Sequence, residues 1–252
     1  MPLAFSWSAG KDSAFALWTL LHDPRFEVKT LLTTLTEGYR RVSLSGVRED
    51  MLDRQALALD LPLTKVWIPP ACPNEVYEER MADALGAEPL GGIRTFAFGD
   101  LYLADVRAYR EERLAQAGRA AVFPLWGRST EGLAREMIAS GFRATVVCVD
   151  ARVLPASFAG RDFDQHFVAA LPEGVDPCGE NGEFHTFVWD APVFSYPITS
   201  HAGRVVSRGD FVFADVVPGA RPRDAQRALQ EERTGPDQAR GRLLGNTQSE
   251  RP

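Results

Sequence analysis

Six consecutive residues, Ser8-Ala9-Gly10-Lys11-Asp12-Ser13, bring together hydroxyls, a small-residue turn, an ammonium and a carboxylate. The apolar run Leu3, Ala4, Phe5 and Trp7 leads into them as a strand, and Ala14, Leu17, Trp18 and Leu21 leave them at helical spacing. Such a turn delivers the unpaired N–H groups and the positive end of the new helix to one point, where an anion is stabilised. Ser6, Ser8 and Ser13 offer hydroxyls, Ala9 and Gly10 let the backbone approach closely, and Lys11 adds a movable charge. Asp12 is the odd member. A carboxylate beside phosphates repels them unless it holds Mg2+ or caps the helix, and either role keeps it in the site. The spelling is not that of a Walker A loop, because Phe5 stands where its first Gly belongs and Asp12 where a hydroxyl should follow Gly-Lys.

The second stretch is 174–188, GVDPCGENGEFHTFV, which packs Asp176, Cys178, Glu180, Asn181, Glu183 and His185 between Gly174, Gly179 and Gly182. It holds too many turn-formers and titratable groups for a core element. Because it runs straight into the alternating strand Phe184, Thr186, Val188, a loop held in shape for chemistry is favoured over a solvated linker.

The elements that must position these groups alternate along the first half. A strand over 26–35 ends at Thr33 and Thr34 on the same side of a parallel sheet as Ser8, which makes both candidates for adenine or ribose contacts, or simply strand threonines. Helices are predicted over 47–59, 75–85 and 101–117, and strands over 64–68, 95–98 and 120–123. The charges Arg107, Arg110, Glu111, Glu112 and Arg113 read as a solvated helix face. Asp100, at the end of its strand, either orients a nucleophile, joins Mg2+ or caps the helix after it. Arg94 and Arg128 stand near boundaries where they could meet phosphate.

The fold class is therefore α/β: a Rossmann-like parallel sheet with helices on both faces over 1–123, then a smaller α+β domain over 124–218. That second domain is expected to hold a helix over 131–140 and strands over 145–149, 186–189, 193–196 and 211–217. Residues 219–252 read as a polar, mobile tail with a short helix near 224–233.

Apolar residues make up 45% of the chain, enough for a sizeable core, and no run approaches a membrane span. The chain opens directly into its first strand, so a cytoplasmic location is expected. Cys72, Cys148 and Cys178 lie far apart without C-x-x-C spacing, which suggests neither a disulfide framework nor a zinc site. A net charge of −6 makes nucleic acid an unlikely partner.

The hexapeptide resembles the SGGxDS signature of the PP-loop ATP pyrophosphatases, with Ala9 replacing the first Gly. That departure is mild at negative φ and an objection only at positive φ. The 174–188 stretch resembles the C-terminal motif of the diphthine–ammonia ligase family within that group. Phe98-Gly99-Asp100-Leu101, Pro124-Leu125-Trp126 and Gly141-Phe142-Arg143-Ala144 fall where the family has its own blocks, and the chain's opening, SWSAGKDSAFALW, resembles the family's compact bacterial branch.

The resemblance covers about 3–218 and implies an adenine nucleotide alpha hydrolase-like fold binding ATP and Mg2+. It implies that an acceptor carboxylate, of a small molecule or a protein, is activated as an acyl-adenylate with release of pyrophosphate. Ammonia or an amine then displaces AMP. On that reading Lys11 and Asp12 serve the phosphates, with Asp12 the metal ligand. Glu180, Glu183 and His185 are the candidates for the base that deprotonates ammonium, while Cys178, Gly179 and Asn181 meet substrate. Two alternatives stay open: a tRNA-modifying adenylating enzyme, in which Cys178 would carry sulfur, and a nucleotide-binding sensor without turnover. A homodimer is compatible with all three.

Overall fold

The chain was described from a computed structural model over residues 1–220, so the predicted tail and its helix near 224–233 lie outside the described residues. Five strands form the parallel sheet: β1 (Pro2–Ser6), β2 (Glu27–Thr36), β4 (Leu63–Ile68), β5 (Thr95–Ala97) and β6 (Ala120–Val122). β1 is central, pairing with β2 on one side and β5 on the other, with β4 beyond β2 and β6 beyond β5. The two-residue β3 (Arg41–Val42), not foreseen in the sequence, pairs antiparallel with the end of β2.

Alternation along the strands sorts their side chains onto two faces. Leu3, Phe5, Leu31 and Leu35 point to a core shared with α1 (Lys11–Leu21) and α2 (Glu49–Leu59). Ala4, Leu32, Val66 and Phe96 point to a smaller core beneath α3 (Asn74–Gly86) and α4 (Ala104–Gln116). Helices thus cover both faces. α3 has no fully buried residue, whereas α1 buries seven of its eleven.

The reason for the contrast is a second sheet, β8-β7-β10-β9, built wholly of antiparallel pairs. Its strands are β7 (Arg143–Asp150), β8 (Phe184–Asp190), β9 (Ser200–Arg208) and β10 (Phe211–Pro218). α1 packs against this half as well as the first: Phe15 meets Phe142 edge-on at 5.2 Å, and the main core runs on through Val146, Phe187 and Val188. α5 (Thr130–Ala139) and α6 (Gln165–Ala169) complete this half, and Met1–Pro218 form one compact unit.

Two expectations for this half need correction. Residues 193–196 are turn rather than strand, because Pro192 and Pro197 flank them and remove ladder donors; Ser195 instead donates through N and Oγ to Ala58 O, each at 2.8 Å. β9 was missed because its sequence, SHAGRVVSR, has the exposed, polar character of an edge strand.

Gln55 of α2 joins the two halves from inside. It is fully buried, accepts from Trp7 Nε1 at 2.9 Å, and donates to Ala9 O at 3.1 Å and Val188 O at 2.7 Å. Leucine there would strand an indole N–H and weaken two carbonyls, so Gln55→Leu should cost about 2–4 kcal/mol in urea denaturation. A loss below about 1 kcal/mol would mean that the contacts are not those of the folded protein.

Candidate active site

The hexapeptide turn forms where β1 ends in the middle of the sheet. Ala9 adopts φ +68°, so the substitution for the usual Gly carries left-handed strain, about 1 kcal/mol or more for a residue with a Cβ. Its carbonyl is held by Gln55 and by Val188 N at 3.0 Å, and its methyl is buried, which fixes the conformation in place. A Cβ on Gly10 would stand 3.1 Å from Thr186 O and would push β8 back by a few tenths of an ångström. A Cβ on Gly99 would likewise press on the Asp12 and Ser13 backbone at 3.1 Å.

The residues of the turn are more occupied than their types suggest. Ser8 Oγ donates to Ser13 Oγ at 3.0 Å, and Ser13 Oγ donates to Gly10 O at 2.9 Å. Lys11 N donates to Thr186 Oγ1 at 3.0 Å, a partner missed in the sequence. Lys11 is not a movable charge. Its side chain is buried, and Nζ donates to both Asp12 oxygens and to Cys178 O while lying about 5 Å from the Phe163 and Phe184 rings. Burial works against the charge, but the Asp12 carboxylate and its neighbours outweigh it and hold the Lys11 pKa above the ordinary value. Asp12 therefore does not cap α1: the cap position is Gly10, with no side-chain hydrogen bond.

The 174–188 loop is folded by its own carboxylates. Asp176 Oδ1 accepts from Cys178 N at 2.8 Å and Glu180 N at 3.2 Å, and Glu183 Oε1 accepts from Asp176 N and Asn181 Nδ2. Gly179 sits at φ +70°, where a Cβ would be 2.7 Å from Phe184 O. Glu183 is buried, its Oε2 without a hydrogen bond, and Asn181 Oδ1 accepts from Tyr102 OH at 3.0 Å. Cys178 donates Sγ–H to Thr130 O at 3.3 Å, and burial pushes its thiol far up, which opposes a sulfur-carrying role.

A cavity of about 990 Å³ joins the stretches. It is lined by Ser6 at the end of β1, Ser8, Gly10, Lys11, Asp12 and Ser13 from the turn, Thr33 and Thr34 from β2, Asp100, and Gly179, Glu180 and His185 from the loop. Thr33 Oγ1 is already bonded to Trp7 O at 2.6 Å. Asn181, Glu183 and Cys178 do not line it. Arg94 and Arg128 also lie elsewhere: Arg94 is exposed beside Gly118 O, and Arg128 pairs with Glu136. Asp100 does not cap α4, which begins only at Ala104; it pairs with Arg110 at 3.0 Å. Glu180 Oε1 takes the N–H groups before that helix, Leu101 at 2.7 Å and Tyr102 at 3.4 Å. The α4 charges are not a wholly solvated face, since Arg110 and Arg113 line the cavity.

The model of the diphthamide synthase N-terminal domain matches residues 1–118, and that of the diphthamide synthase C-terminal domain matches 129–213. The chain belongs to the diphthamide synthase family. It is 38% identical over 97 residues to the diphthine–ammonia ligase of Homo sapiens, and 37% over 97 residues to those of Bos taurus and Danio rerio. The alignment with the Homo sapiens protein takes in 36% of each chain, so the matched stretch spans little more than a third of these curated relatives. Family membership places both motifs of this chain, the turn at 8–13 and the loop at 174–188, inside matched domains.

Burial raises the Glu180 pKa to about 7, helped by Asp12 and Asp100 and resisted by the Leu101 N–H, whereas burial and the Lys11 charge lower His185 to about 4. Glu180 thus binds its proton more readily folded than unfolded, and the stability it contributes fades as pH rises from 4.5 to about 7. His185 does the opposite: its contribution fades as pH falls from 6.5 to about 4. Relative to the parent, Glu180→Gln should make the protein lose more stability between pH 7 and pH 5, and His185→Gln should make it lose less. Urea midpoints at the two pH values check this, and unchanged slopes in both variants would count against the site's electrostatics.

Proposed function

We propose that this protein is an ATP-dependent amide-forming ligase. The observation that carries the reading is that the anion-binding turn and the carboxylate-rich loop, 160 residues apart in sequence, line one cavity. The names of the relatives, diphthine–ammonia ligases, support the same class of reaction.

In the first step an acceptor carboxylate attacks the α-phosphorus of ATP; the bond to the β-phosphate oxygen breaks and pyrophosphate leaves, giving an acyl-adenylate. The N–H groups at the start of α1 and the Ser6 hydroxyl receive the phosphates, joined by the Ser8 and Ser13 hydroxyls once they turn from Ser13 Oγ and Gly10 O, while Thr34 and Thr33 lie at the nucleoside end. Lys11 acts from behind, fixing Asp12 and the loop rather than reaching phosphate. Asp12, whose side chain is 27% exposed, is the residue that would meet Mg2+ carried in by the nucleotide. Among the described residues no group of three or more His, Cys, Asp or Glu side chains converges to hold a metal by itself, and no step is assigned to a protein-held ion.

In the second step ammonia or an amine attacks the acyl carbon, AMP departs, and a proton passes to a base. Glu180 is the member of the loop suited to that transfer, because it lines the cavity and its pKa lies near neutral pH. His185, at about 4, is a weak base, and Glu183 with Asn181 shapes the loop. The division at 123/124 follows the same logic: the first part grips the nucleotide, and the second supplies the loop. The acceptor is a small-molecule or protein carboxylate, all named groups come from one chain, and a homodimer is not required. No described helix is long and apolar enough to cross a membrane.

The test is to incubate the protein with ATP, Mg2+, ammonium and a panel of carboxylates, and to follow the nucleotide products. AMP and pyrophosphate, formed only when a carboxylate is present, are expected. ADP as the sole product would refute the reading, AMP formation that depends on tRNA would favour base adenylation, and tight ATP binding without turnover would favour a sensor.

A further inference from the structure

Four cationic side chains line the cavity, and they are not equally free. Lys11 is enclosed by Asp12, Cys178 O and two rings. Arg113 pairs with Glu78 at 2.6 Å, and Arg119 donates to Leu85 O and Leu90 O. Arg110 is held differently. Its guanidinium lies over the Phe98 ring at 4.5 Å and faces Asp100, but Nε stands 3.0 Å from Oδ2 at an angle that makes no hydrogen bond. Both of those atoms are buried without one, and a single bond from Nη2 to Oδ1 at 3.2 Å remains. A planar fork of donors that spends a single hydrogen bond on its carboxylate partner is a receptor which a carboxylate placed for two can take over.

Beside Arg110 the same cavity extends beneath α3, walled by Met81, Leu85, Phe96 and Leu114. Phe96 and Leu114 are buried in the smaller core, whereas α3 buries none of its residues fully and leaves Met81 and Leu85 partly exposed on this wall. We propose that Arg110 receives the carboxylate of the acceptor in place of Asp100, and that the acceptor is an acid whose body is apolar and lies in the lobe between α3 and α4. The assignment rests on the acyl-adenylating reading of the cavity and adds to it the residue that holds the acid and the class of acid held.

The full-length protein should be titrated calorimetrically with 4-phenylbutyrate, with 4-phenylbutyramide, and separately with ATP. The acid should bind about tenfold or more tightly than the amide, and Arg110→Gln should remove that preference while leaving ATP affinity within about threefold. Asp100→Asn, which deletes the competing carboxylate, should tighten the acid by a few-fold, and Ala82→Trp at the exposed rim of the lobe should weaken it. Equal binding of acid and amide, no tightening in Asp100→Asn, or loss of ATP rather than acid in Arg110→Gln would each overturn the assignment. A protein that binds the acid but no ATP would refute the ligase reading and leave Arg110 standing. One that binds ATP yet does not tell acid from amide would do the reverse.

Discussion

A buried ammonium is the constraint on which the rest of this structure depends. Taking Lys11 out of water costs several kcal/mol unless its donors are met, and removing one partner of such a pair typically costs about 3–5 kcal/mol. Here the Asp12 carboxylate, the Cys178 carbonyl and the faces of Phe163 and Phe184 meet it. These partners come from both halves of the chain. The start of α1 therefore cannot move away from the loop at 174–188 without exposing a charge to an apolar interior, and the cavity between them is preorganised before any ligand arrives.

The strain at Ala9 fits the same logic. A residue with a Cβ at φ +68° persists only where its surroundings over-determine it, and Gln55, Val188 and a fully buried methyl do so. Lys11 N and Thr186 Oγ1 add a further link between α1 and β8. The parallel sheet brings the turn, Thr33 and Asp100 to one edge, and the antiparallel sheet carries the loop to them. Neither half could shape the site alone.

Much of this was legible in the sequence, because period-two and period-3.6 apolar patterns report burial directly. The parallel strands and their helices are found close to where their patterns place them, and the two chemistry-bearing stretches line the same cavity. What could not be read was direction. Lys11 looks like a phosphate ligand until its partner 167 residues away is known. Arg110 belongs to a helix face that reads as solvated, and no periodicity separates a charge facing water from one facing a cavity. Asp12 and Asp100 had the right position for caps, but cations in the fold took their carboxylates instead. β9 lacks the apolar alternation that marks a buried strand because it lies at an edge, whereas 193–196 carry apolar residues but are held as a turn by the flanking Pro192 and Pro197.

The central claim is that the turn at 8–13 and the loop at 174–188 form one nucleotide-dependent site. Hydrogen exchange of the full-length protein with and without α,β-methylene ATP, which cannot lose pyrophosphate, tests it most directly. The account predicts that amides of both stretches slow together on binding. Protection confined to one of them, or absent from both while the analogue is bound, would contradict it.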